Sequence, residues 1–282
     1  MNRTEFERIS EQLQKGVRDV YESGRYKNYL KTMSRFHGYS ASNCILIFMQ
    51  KPDASYVAGY QTWKNQFQRF VRKGEKGIRI IAPARIHAEE EEEVRLVFRT
   101  VSVFDISQTE GEPLPSYMNA ELEGEVDDYD SFLEAAVLAC RIPVCFEDIG
   151  GGVHGYFSPK DRQIVIQKDM SPLQTVKTLI HEMAHSILHD GEEGSMKERR
   201  QKEIEAESTA CAVCCHYGLD SSEYSFGYIA GWAADRELKQ LKESMDVIRE
   251  ASDRIISDID RVRSPHTAAP FEKQIRAEDL LG

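Results

Sequence analysis

The feature that most constrains this 282-residue chain is the run His181-Glu182-Met183-Ala184-His185. Residues four apart share one face of a helix, so both imidazoles can reach a single ion. Glu182 projects from nearly the same face and can take a proton from a metal-bound water. A helix is well signalled here. Ser171 offers an N-cap and Pro172 a first helical residue, and Leu173, Val176, Leu179 and Ile180 carry the pattern into the motif. Two imidazoles hold zinc weakly, so a third ligand is required. Glu203-Ile204-Glu205-Ala206-Glu207 lies on the next expected helix, about Lys202 to Tyr217, which Gly218 stops. Glu203 and Glu207 again lie four apart. Either can ligate while the other holds a histidine's second nitrogen. The preceding Ile164-Val165-Ile166 reads as a strand, expected at a sheet edge where it could pair with an extended substrate backbone.

Three nearby features carry less. His189 is expected as a helix C-terminal histidine, favoured by the dipole. Cys211, Cys214, Cys215 and His216 invite a second metal site, but on a helix they read better as buried thiols. An oxyanion-stabilising residue is needed, and Tyr228 and His216 both remain candidates. The six cysteines follow no disulfide pattern.

Around this centre, charge divides the chain. Residues 1–87 hold 16 Lys and Arg against 7 Asp and Glu, a net of +9, and the remaining 195 hold 20 against 40, a net of −20. The basic part suits a phosphate backbone and the acidic part would repel one. Residues 1–87 also contain 12 of the 26 aromatics. Tyr60, Trp63, Lys64, Arg72, Lys73, Lys76 and Arg79 are the candidate nucleic-acid contacts, rings stacking on bases while cations track phosphates. No apolar run is long enough for a membrane span, and the polar start from Met1 to Ser10 lacks a secretory core, so a cytoplasmic protein is expected.

The expected fold class is α+β. A mixed N-terminal domain over 1–108 has an amphipathic helix at 3–21 (Phe6, Ile9, Leu13, Val17, Val20), an apolar segment from Asn43 to Met49 and a short helix from Tyr60. A turn at Lys73-Gly74 leads to a strand from Ile78. The run Glu89 to Glu93 is expected at a hairpin tip, before a return strand from Val94 to Phe104. A linker is expected at 109–127, rich in acids and turn formers. The second domain spans 128–263, with a small sheet, the motif helix and a long charged helix from Leu238 to Ile259. Residues 264–282 form a tail.

The region from roughly 153 to 217 resembles the glutamate-zincins, and within them the ImmA/IrrE-like peptidases, with Glu203, Ala206, Glu207 and Ala210 in register. That resemblance implies Glu203 as third ligand and Glu207 as its helper. Ser42-Asn43, Tyr60-Gln61-Thr62-Trp63-Lys64, Val71 to Ile78 with its Lys-Gly-Glu-Lys-Gly turn, and Val103-Phe104-Asp105-Ile106-Ser107-Gln108-Thr109 resemble the N-terminal domain of ArdC-type antirestriction proteins. Tyr224 to Trp232 resembles LtrC-like relatives from mobile elements of Gram-positive bacteria. These likenesses imply single-stranded-DNA binding joined to a zincin domain, with an unknown protein or peptide substrate. Two alternatives stay open: a regulatory zinc protease cleaving a repressor, and a non-catalytic module that zinc braces.

Overall fold

A computed structural model describes residues 3–87, 94–114, 129–191, 196–219, 224 and 226–263. The fold is α+β, in two compact units, one holding the described residues up to Leu114 and the other those from Tyr129.

The first unit opens with three helices, α1 (Arg3–Glu22), α2 (Tyr26–Arg35) and α3 (Ala41–Gln50). Ile9, Leu13, Val17 and Val20 fall on one stripe of α1 and are buried. Gly16 allows a close crossing: a Cβ there would lie 2.7 Å from Ile45 Cγ2 of α3. Tyr21, Tyr26, Tyr29 and Phe48 fill the space between the helices, with Tyr21 and Tyr26 stacked at 5.0 Å. Sequence reading left α2 unassigned, although Tyr26, Tyr29, Leu30 and Met33 carry its helical period.

After these come β1 (Val57–Gly59), α4 (Tyr60–Asn65), β2 (Arg69–Val71), β3 (Ile78–His87), β4 (Val94–Asp105), a 3-10 turn (Ile106–Gln108) and β5 (Thr109–Gly111). One antiparallel sheet has the order β1-β4-β3, and β2 pairs with β5. Pro83 is tolerated because β3 lies at the sheet's edge. Two side-chain amides of α3 close that edge. Asn43 accepts from Ile81 N and donates to Ile81 O, both at 2.9 Å, and Gln50 does the same for Arg79. Each amide mimics a strand residue, which blunts an edge otherwise open to pairing. The expected glutamate tip at 89–93 lies outside the described residues.

Thr109–Gly111, expected to head a linker, form β5 instead. The reason is the cap just before it. Asp105 closes a capping box with Gln108, which returns the chain to β2. Positions 115–127 of that expected linker and the tail at 264–282 lie outside the described residues.

The second unit holds α5 (Tyr129–Ala139), β6 (Val144–Glu147), β7 (Gly155–Ser158), β8 (Gln163–Gln167), α6 (Pro172–Leu188), α7 (Arg199–His216), α8 (Ile229–Ala234) and α9 (Leu238–Arg263). Its sheet runs β6-β8-β7, with β6 parallel and β7 antiparallel to β8. This corrects the expected edge. Ile164, Val165 and Ile166 are all fully buried in a central strand. A continuous apolar run marks a strand covered on both faces, and here neighbours flank it on both sides. The edge strands are β6 and β7, and β7 is the one beside the motif helix. The long helix α9 buries Leu241, Met245, Ile248, Ile255 and Ile259. Arg141 clamps Asp258 through two hydrogen bonds of 3.0 and 3.1 Å, tying the end of α5 to α9. Tyr217, at the C-cap of α7, donates to Asp260 at 2.7 Å, so α9 also fixes the helix that carries the glutamates.

Candidate metal centre and nucleic-acid face

Ser171 caps α6 by accepting from Gln174 N, and Pro172 follows at the first turn. Helical spacing then brings His181 and His185 together, with their Nε2 atoms 3.1 Å apart. From α7, Glu203 Oε2 stands 3.7 Å from each of those nitrogens. His181, His185 and Glu203 thus form one group able to hold a metal ion. A tetrahedral ion with bonds of about 2.05 Å needs ligand atoms about 3.3 Å apart, and this triangle of 3.1, 3.7 and 3.7 Å fits. Glu203 is half-exposed, which leaves an open side for a fourth ligand. Glu207, the other candidate, faces the far nitrogen of His181, with Oε2 3.4 Å from Nδ1.

The electrostatics favour a cation. Burial alone would lower the His181 imidazole, but hydrogen bonds to Glu203 and Glu207 and the charge of Glu182 outweigh it and raise it to about 9. Hydrogen bonds from the two histidines hold Glu203 well below the usual carboxylate range. Glu182 is different. Burial raises its carboxyl above the ordinary value, opposed by His181, His185 and the Phe157 backbone N–H. A raised carboxyl is a stronger base.

Phe157 belongs to β7. Gln167 N donates to His154 O at 2.8 Å, so by antiparallel alternation the backbone groups of Gly155 and Phe157 face away from β8. One of them reaches Glu182. A cleft of about 290 Å³ lies along this edge, with His154, Gln174, Lys177 and Thr178 extending it beyond His181 and Glu182. Close approach of β7 to α6 depends on Gly155, where a Cβ would lie 2.7 Å from Thr178 Cγ2 and 3.0 Å from Val165 O. Gly155→Ala is expected to cost about 1–3 kcal/mol by overpacking. Gly231→Ala, in α8 with nothing within 4 Å, serves as a control and should be neutral or slightly stabilising. Urea unfolding of both variants checks this, and an unchanged Gly155→Ala midpoint would refute it.

His189 does cap α6, but it does more than meet the dipole. Its Nδ1 lies 2.9 Å from His185 Nδ1, and its Nε2 lies 3.1 Å from Glu205 Oε2. Sequence reading passed over Glu205 because it sits two residues from Glu203, off the ligand face. The available signal was an acid in the buried run from Ile204 to Ala206. Of the two oxyanion candidates, His216 lies 13 residues past Glu203 on α7, about 20 Å along the axis, which excludes it. Tyr228 is close enough for Glu207 and Glu203 to help raise its hydroxyl, after burial. All six cysteines are thiols, and burial pushes Cys214 up to about 12, as a core residue should be.

In the first unit the candidates separate. Trp63 is fully buried beside Ala58 and Leu114, and its Nε1 donates to Phe104 O at 2.8 Å. It is a core residue and cannot stack on a base, because packing against Tyr56 and Phe67 consumes its faces. Tyr60 is 48% exposed, and Lys64, Lys73 and Lys76 are exposed. Arg72 pairs with Glu75 at 2.9 Å, and Arg79 donates to Ser102 Oγ at 2.7 Å, so both are partly committed to the fold. Phe70, one of the aromatics interleaved with the basic residues, is 50% exposed, and Phe98, outside that basic segment, is 54% exposed. Phe98 has the opposite strand parity to buried Val103, which is the signal that marks it as outward.

Comparison with known proteins follows the same division. Residues 3–116 match the N-terminal domain of anti-restriction factor ArdC, and residues 140–219 match the IrrE N-terminal-like domain. An uncharacterized Bacillus anthracis protein, pXO2-81, is 28% identical over 275 residues, covering 81% of this chain and 46% of its own length. The chain therefore spans about half of that relative. The metal-free crystal structure of the antirestriction ArdC protein from plasmid R388 matches with a TM-score of 0.51 and 22% identity, over 80% of this chain and 84% of that one. Its Mn(II)-bound structure matches at 0.48 and 23%, over 83% and 86%. Among the described residues no helix is long and apolar enough to cross a membrane. The chain thus joins a domain like the N-terminal domain of anti-restriction factor ArdC to an IrrE N-terminal-like domain, and in that order it is similar to ArdC-type antirestriction proteins.

Proposed function

We propose that this chain is an antirestriction protein of a conjugative element, whose first unit binds single-stranded DNA and whose second carries a zinc metallopeptidase-type site. The observation that carries the second half is the triangle of two Nε2 atoms and one Oε2 at 3.1 and 3.7 Å. His181, His185 and Glu203 would hold zinc there, with Glu207 on the second nitrogen of His181. Zinc in such a site supplies a polarised carbonyl and a bound water acidified to near neutrality. Glu182, raised by burial and aimed by the Phe157 N–H, takes a proton from water and returns it to the leaving amine. The edge of β7 away from β8 supports an extended peptide backbone at Gly155 and at the Phe157 carbonyl, the Phe157 N–H being taken by Glu182. Tyr228 is the residue suited to donate to the developing oxyanion.

The DNA half rests on the net charge of +9 with exposed Lys64, Lys73, Lys76, Tyr60, Phe70 and Phe98. Cations would follow phosphates and the rings would stack on bases. A second reading, a regulatory protease of the ImmA/IrrE kind that cleaves a repressor, is favoured by the match of residues 140–219.

The test combines both halves on the full-length protein. Binding of a single-stranded oligonucleotide should weaken with salt. Lys73→Ala/Lys76→Ala together should flatten the slope of log K on log salt by about 1.4, at about 0.7 per phosphate contact. Phe70→Ala should cost about 1–3 kcal/mol if its ring takes a base. Glu182→Gln should retain zinc and lose any cleavage of partner proteins. Binding that ignores salt and both sets of substitutions would remove the DNA reading. Cleavage that survives Glu182→Gln would remove the peptidase reading.

A further inference from the structure

The two histidines at the centre are held differently. His181 meets a carboxylate directly through Nδ1, whereas His185 meets another histidine. Beyond that histidine the chain of contacts ends on Glu205, which is fully buried. Glu205 Oε2 receives Lys197 Nζ at 2.7 Å and His189 Nε2 at 3.1 Å, and Oε1 receives Gln201 Nε2 at 2.9 Å. A buried carboxylate beside a lysine accepts and does not donate. The proton on His189 must therefore sit on Nε2. In a neutral ring that leaves Nδ1 as an acceptor, and the only donor that can meet it from His185 at 2.9 Å is Nδ1–H. His185 then presents its lone pair on Nε2, which faces His181 Nε2 and Glu203. One acceptor-only group thus sets the direction of each hydrogen bond on the path from Glu205 through His189 to His185.

We propose that Glu205, acting through His189, is a positioning residue that sets the tautomer and ring orientation of His185 and thereby the metal affinity of the centre. The proposal rests on the reading of His185 as a metal ligand. Glu205 itself points away from the ion because it lies two residues from Glu203, on the other side of α7. His189 bridges the gap because it sits one turn after His185, where α6 ends. Lys197 and Gln201 give Glu205 its remaining partners, so the buried charge is compensated without drawing His185 aside.

Two measurements on the full-length protein test this. With zinc as the probe and a fluorescent chelator as competitor, Glu205→Gln and His189→Phe should each weaken binding about 10- to 100-fold, the usual effect of losing a ligand's hydrogen-bond partner. His189→Gln, which can accept and donate in the same two directions, should recover most of that loss. Thermal melting of the metal-free variants separates a positioning role from loss of folding. In the metal-free wild type, long-range 15N–1H spectra should place the His189 proton on Nε2 and the His185 proton on Nδ1, a readout that needs neither a variant nor an ion. Folded variants that bind zinc within about threefold of wild type, or a His189 proton found on Nδ1, would overturn the proposal. A wild type with those tautomers but no stoichiometric zinc would overturn the metal reading, and the claim on affinity with it.

Discussion

His185→Ala is expected to strip the second unit of stoichiometric zinc. Apparent binding energies for zinc in small protein sites are about 10–16 kcal/mol, shared among three or four ligands. Losing one ligand therefore weakens the site on the order of a thousandfold. His185 also occupies the middle of the centre, with Nε2 3.1 Å from His181 and Nδ1 2.9 Å from His189. Its removal leaves Glu203 with a single histidine partner, which offers an ion only half a grip. Metal analysis after dialysis should find about one zinc per wild-type chain and almost none per variant. Added zinc should raise the melting temperature of the wild type and leave the variant unmoved, since a ligand stabilises only what it binds. His216→Ala, far along α7, is the matched control and should keep its zinc. Equal zinc contents in wild type and His185→Ala would end the metallopeptidase reading.

Asp105→Ala is expected to be the most damaging single change in the first unit. Asp105 is buried at the end of β4, and one oxygen accepts from Ser55 N at 2.8 Å and Tyr56 N at 3.1 Å. The other accepts from Ser107 N at 2.9 Å and from the Ser107 hydroxyl. Alanine leaves those donors without their acceptor, and hydrogen bonds to a charged group contribute about 1.5–3 kcal/mol each. Allowing for water reaching some of them, a loss of about 4 kcal/mol follows, which would lower the melting of a unit this size by more than about 10 °C. Asp105→Asn keeps one acceptor oxygen and should fall between. Thermal and urea unfolding decide the matter, and a loss below about 1 kcal/mol would show that the Asp105 contacts contribute little. The Phe104-Asp105-Ile106-Ser107-Gln108 segment thus acts as a structural hinge point: it turns β4 into β5 and holds the strand that follows Ser55.

The same segment illustrates how far sequence reading reached. Its resemblance to a family motif was visible, but its role was not, because the partners of Asp105 lie about 50 residues earlier. Trp63 was misplaced for a related reason. A tryptophan among lysines looks like a stacking platform, yet its neighbours in space are Tyr56, Phe67 and the Phe104 carbonyl. Ile164-Val165-Ile166 was rightly seen as a strand and wrongly put at the edge, because pairing partners are not encoded in a strand's own residues. The outward aromatic Phe98 is hidden by the same uncertainty about faces.

What residue order decided by itself is whatever a helix fixes covalently. Four-residue spacing put His181 with His185 and Glu203 with Glu207, and the Ser171-Pro172 start set the register of the first pair. Helical repeat is a property of the local backbone, so no distant contact is needed to read it. Which glutamate meets both histidines and what stands behind His185 were decided only when α7 packed on α6, and which strands lie at the edges only when β8 paired with both β6 and β7. The placement of the two helices is fixed by the burial of α9 beneath them and by a buried carboxylate whose partners come from three separate positions along the chain.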